Sequence, residues 1–153
     1  MATYEKATEV LNDLVKINND RVEGYEKAIV QTNEVDLKTL FTQMADESRK
    51  YVMELNQQLR NWGKDVQTET TASGKIYRTW MDVKRTFTGN DRHAILASCE
   101  YGEDAAQRAY EEALATEEPL PNELRELITR QKASLKRSHD IIKQQRDLEK
   151  VNS

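Results

Sequence analysis

Two segments of the chain, 85 residues apart, carry the same seven-residue spacing. Leu11, Asn18 and Tyr25 are seven apart, and so are Leu96, Glu103 and Tyr110. The same offset pairs Leu14 with Cys99, Ala28 with Ala113 and Ile29 with Leu114. At 3.6 residues per turn, positions seven apart fall nearly in line on one face of a helix. Each face is apolar except at its centre, where one carries Asn18 and the other Glu103. A polar group at mid-depth in a helical bundle is costly unless paired. This layer is therefore where a function would be written.

The apolar spacing predicts four long helices. The first covers Thr3–Thr32 through Ala7, Val10, Leu11, Leu14, Ile17, Tyr25, Ala28 and Ile29, with Asn33 as its stop. The second starts at Asp36, a residue type suited to an N-cap. It presents Leu37, Leu40, Phe41, Met44, Tyr51, Leu55, Leu59 and Trp62, and Gly63 ends it. The third opens at Asp91 and runs to Thr116 through Ile95, Leu96, Cys99, Ala106, Tyr110 and Leu114. Pro119 and Pro121 force a turn. The fourth runs from Pro121 or Asn122 to Lys150 through Leu124, Leu127, Ile128, Leu135, Ile141, Ile142 and Leu148. The link between the second and third, about 27 residues, is long enough to return along the bundle. Within it, Ile76, Tyr77, Trp80, Val83, Lys84 and Phe87 recur at three and four, which predicts a short amphipathic helix over Ser73–Phe87. The expected fold is all-α: a ferritin-like four-helix bundle of two related antiparallel hairpins, with an extra short helix in the crossover.

Composition narrows the function classes. The 153 residues suit one domain spanning the whole chain. The net charge of −4 is spread along the sequence without a basic, aromatic-rich patch, so nucleic acid is not an expected partner. One Cys excludes an intrachain disulfide framework and suits a reducing compartment. No signal-peptide pattern opens the sequence, and no apolar run reaches the ~18 residues of a membrane span. The expectation is a cytoplasmic protein with no membrane partner. Long amphipathic helices with a second apolar edge predict a homo-oligomer, with a dimer as the simplest form.

Several stretches together resemble a bacterial family of ferritin-like four-helix-bundle proteins whose function is unknown. They are Leu11-Asn12-Asp13-Leu14, Glu23-Gly24-Tyr25, Trp80-Met81-Asp82-Val83-Lys84, Cys99-Glu100 with Gly102-Glu103-Asp104-Ala105-Ala106, and Ser138-His139-Asp140. The resemblance spans nearly the full chain and extends distantly to bacterioferritin and rubrerythrin bundles. Such di-iron bundles take a Glu from each of two helices and a Glu-x-x-His from each of the other two. By this resemblance the six positions are Asn18, Glu47, Lys50, Glu103, Lys136 and His139. Glu47, Glu103 and His139 keep a ligand type; Asn18, Lys50 and Lys136 do not. A protonated ammonium has three donors and no lone pair, so the lysines oppose a metal.

The favoured reading is a non-enzymatic bundle with a degenerate metal site and no cofactor. Lysine ammonium replaces the metal charge, with Lys50 or Lys136 paired to Glu47 or Glu103. Asn18, Lys50, Lys136 and Gln131, with Ser138 and His139, then form a hydrogen-bonded polar core layer. A structural or interaction role tied to stress follows by analogy with relatives of the fold. The alternative is an iron- or manganese-binding oxidase or iron-handling protein using Glu47, Glu103 and His139, with Glu100 as a further ligand. Tyr25, Tyr51 and Tyr110 are read as core aromatics near the layer, Cys99 as a small buried hydrophobe, and His93 as a surface residue. Gly24 and Gly102 are mid-helix candidates for close helix approach. No phosphate-binding loop, Ser/His/Asp set or zinc-type spacing occurs in the sequence.

Overall fold

A computed structural model describes residues 3–69, 92–117 and 119–152. Four α-helices run through them: α1 (Thr3–Gln31), α2 (Val35–Asn61), α3 (Arg92–Leu114) and α4 (Asn122–Asn152). The described residues contain no strand, and the chain forms an all-α four-helix bundle. The short helix expected over Ser73–Phe87 and the Asp91 cap lie outside the described residues.

The helix ends show which local signals decide. Gly63 adopts φ 71 just past α2, where Lys64 N donates to Leu59 O at 2.8 Å. That positive φ is the glycine-terminated helix end the sequence implies. Asp36 does not cap α2. Glu34 occupies that position with extended backbone and no side-chain cap, while Asp36 sits in the first turn. There both Asp36 oxygens take the Arg92 guanidinium, at 3.1 and 2.8 Å. Its carboxylate forms an inter-helix ion pair from within the first turn.

Further contacts hold the residues that follow α2. Gln67 exchanges hydrogen bonds with Asn56 of α2, and Asn19 of α1 donates to Glu69 O at 2.9 Å. The link therefore leaves α2 along the α1–α2 flank. Arg92 places the start of α3 beside the start of α2.

The core has two parts. One joins Leu11, Leu14, Tyr51, Leu55, Tyr110 and Ile128. The other joins Tyr25, Phe41, Met44, Leu96, Cys99 and Ile142. The early residues of α1 share a cluster with the late residues of α3, so these two helices run antiparallel. Each fully buried Leu or Ile contributes roughly 1.5–3 kcal/mol on transfer from water. Between the two clusters lies a layer of buried polar residues. Among the described residues, no helix is long and apolar enough to cross a membrane.

Candidate functional site

An arginine occupies the centre of the polar layer. Arg21 lies one turn after Asn18 on α1, and its side chain is 2% exposed. Its Nε and Nη2 donate to the two oxygens of Glu103 on α3, at 2.6 and 2.9 Å. Nη1 donates to Met44 O at 3.0 Å and Ser48 Oγ at 2.8 Å, both on α2. Nη2 also lies 3.0 Å from Glu47 Oε1. A guanidinium has five N–H donors in a fixed fork, and here five oxygen contacts meet it. Tyr25 adds its ring face, 5.2 Å from the guanidinium carbon. Burial alone would weaken the proton's hold. The Glu103 charge and hydrogen bonds, with Tyr25 and Glu47, together outweigh burial and push Arg21 above its ordinary value, so it is a permanent cation.

The layer continues as an ordered chain of donors. Ser48 Oγ donates to Asn18 Oδ1, and Asn18 Nδ2 to Tyr110 Oη, each at 2.8 Å. Tyr110 donates to Gln131 Oε1 at 2.6 Å, and Gln131 Nε2 to Glu54 Oε1 at 3.0 Å. Glu47 accepts from Ser138 at 2.8 Å, Ser134 at 2.7 Å and Tyr51 at 3.2 Å. The layer thus ties all four helices, and it reaches the surface along the α2–α4 edge, where Glu47 is 19% exposed.

Of the expected layer residues, Asn18 and Gln131 are buried within it. Lys50 and Lys136 are exposed. Lys136 pairs with Asp140 one turn along α4 at 3.2 Å. A lysine at mid-depth would lose the hydration of a compact ammonium, whereas the planar fork of an arginine can be matched bond for bond. Glu103 does not face Asn18 either, because antiparallel packing sets it against Arg21 and sets Tyr110 against Asn18.

Nor do Glu47, Glu103 and His139 converge. His139 leaves the layer for the α3–α4 surface. There Nε2 lies 2.6 Å from Asp104 and Nδ1 lies 3.2 Å from Asp140. Burial acts to lower its pKa; the hydrogen bonds it makes to Asp140 and Asp104, with the charges of those carboxylates, together outweigh it, and the net shift is upward. The donor set does not fit the paired metal ions that the six-position pattern implies. Its two central carboxylates both bind a guanidinium, its Asn amide is engaged, and its lysines and histidine lie elsewhere.

The remaining expectations resolve by position. Tyr51 and Tyr110 belong to one core cluster and Tyr25 to the other. Burial, the largest cause, pushes Tyr51 up to about 12. Cys99 is buried, and burial also pushes its thiol well above its ordinary value, which leaves little thiolate. Gly102 is buried on α3.

Arg21 was the missing element, although the spacing held a signal for it. Leu14, Arg21 and Ala28 form a second seven-residue line beside Leu11, Asn18 and Tyr25. Phe41, Ser48 and Leu55 do the same on α2. A charged residue centred on such a line is read as exposed by type, and as buried by position.

Among curated proteins, none matches the chain in sequence. Residues 6–116, covering nearly all of α1 and the whole of α2 and α3, match the family described as Domain of unknown function (DUF2383), and the chain belongs to that family.

Proposed function

We propose that this chain is a ferritin-like bundle whose internal cation is Arg21, and that it serves as a structural or interaction module and carries no di-metal redox centre. The single observation behind this reading is the guanidinium held by both oxygens of Glu103 and by Glu47. A di-metal site concentrates carboxylates around positive charge. Here the carboxylates are satisfied by a cation that is covalently part of the chain. It cannot dissociate, change oxidation state or open a coordination position. The layer then fixes how four helices meet, a role for which buried polar groups can be retained.

Iron oxidation tests this reading. Protein purified after growth with iron and manganese, then given ferrous iron in air, is expected to oxidise it no faster than buffer. Glu103→Gln and Glu47→Gln are expected to leave bound metal unchanged. Oxidation above the buffer rate, or metal content that falls with either substitution, would overturn the proposal.

A further inference from the structure

Outside the polar layer, a second group of ligand-type side chains meets between α3 and α4. Glu100 and Asp104 stand one turn apart on α3, and His139 faces them from α4. One donor atom from each lies within 4.8 Å of the other two. Glu103, between them in sequence, is turned inward onto Arg21.

The histidine carries the argument. It has a carboxylate against each ring nitrogen, Asp104 at Nε2 and Asp140 at Nδ1. A neutral imidazole has one N–H and one lone pair. With Nδ1–H given to Asp140, the Nε2 lone pair would face a carboxylate lone pair at 2.6 Å. A cation must lie between them, either a second proton or a metal ion. Two features favour the metal. Asp140 is itself anchored by Lys136, with both oxygens 3.2 Å from Nζ, and a carboxylate on the far nitrogen is the partner that metal-bound histidines keep. Glu100, 8% exposed, adds a nearly buried carboxylate beside the pair. Its Oε2 is matched by the Arg146 guanidinium.

We propose that Glu100, Asp104 and His139 bind one divalent transition-metal cation that clasps α3 to α4. Asp104 brings a carboxylate charge to the ion, and Glu100 brings a second that it shares with the Arg146 guanidinium. One imidazole and two carboxylates suit zinc, manganese or ferrous iron, with water completing the shell. Ligand bonds of about 2.0–2.2 Å would part Nε2 and the Asp104 oxygen to about 3 Å, within reach of small rotations by two surface side chains. The role is structural and goes beyond the proposed function, which concerns the buried layer.

Zinc titrated into the full chain at pH 7.5, followed by calorimetry, tests the site, and manganese binding followed by electron paramagnetic resonance repeats the test. One ion per chain is expected, with a rise in melting temperature. Asp104→Asn and His139→Gln change partly exposed positions and are expected to melt normally without metal. Each is expected to weaken zinc binding at least tenfold, and His93→Ala to leave it unchanged. Affinity should fall as the pH drops from 7.5, because a proton then takes the Nε2 position. No saturable binding of either metal would overturn the proposal and leave a protonated His139. So would binding that survives both substitutions, or binding lost on His93→Ala. Loss with Glu103→Gln but not His139→Gln would instead fail the proposed function.

Discussion

Arg21 and Glu103 show how a buried charge can be tolerated. Desolvating two ions costs several kcal/mol each, and their attraction offsets this only when geometry and extra hydrogen bonds are good. Here the fork is bidentate, and Met44 O, Ser48 and Glu47 take the remaining donors. Removing one partner leaves the other stranded. Arg21→Met is expected to destabilise the fold by about 3–5 kcal/mol, read as a lower urea midpoint at constant slope. Arg21→Met combined with Glu103→Met should recover most of that loss, because the one carboxylate left, Glu47, is partly exposed and keeps its Ser134, Ser138 and Tyr51 donors. A double variant no better than the single one would show that the pair is not the unit. At this scale the sequence is legible for residues whose type and position agree. Asn18 and Glu103 stand out as polar groups on apolar lines. Only a ligand pattern points Lys50 and Lys136 inward, and solvation of their ammonium groups keeps them at the surface. Arg21 was hidden because a charge on a helix face is ordinarily solvated, and only its three-dimensional partners reverse that.

The helices follow from period and punctuation, and their boundaries sort by how local the deciding signal is. Gly63 acts through its own backbone: φ 71 is open to glycine and strained for an L side chain. A Cβ at this position would meet nothing within 4 Å, so conformation alone sets the cost. Gly63→Ala is expected to lower stability by about 1 kcal/mol, seen as a lower melting temperature with little change in helical circular dichroism. An unchanged melting temperature would mean that the end of α2 frays without consequence. Asp36 is the opposite case. Its residue type announces a cap, but Arg92, 56 positions on, claims both its oxygens. Signals that compete with distant partners cannot be ranked from one segment, and those that act within a single φ angle can.

Across the whole molecule the seven-residue echo becomes a two-fold relation. It carries Asn18 onto Glu103 and Tyr25 onto Tyr110, and in the folded chain each polar residue lies near the other hairpin's tyrosine. Asn18 donates to Tyr110 at 2.8 Å, while the charge of Glu103, after burial, helps raise Tyr25. The family match ends at residue 116, before α4 begins. Yet α4 supplies Leu124, Ile128 and Leu135 to one core cluster and Ile142 to the other. It also supplies Gln131, Ser134 and Ser138 to the layer. A chain stopped after residue 117 would expose both clusters along one side and leave the outer oxygens of Glu47 without their serine donors. It is expected to lose cooperative melting and most of its helical signal. A separate peptide covering residues 119–153, added in excess, is expected to restore both, because the lost contacts lie between elements rather than within the turn. Cooperative unfolding of the truncated chain by itself would show that the matched region is a complete folding unit, with α4 an addition to it.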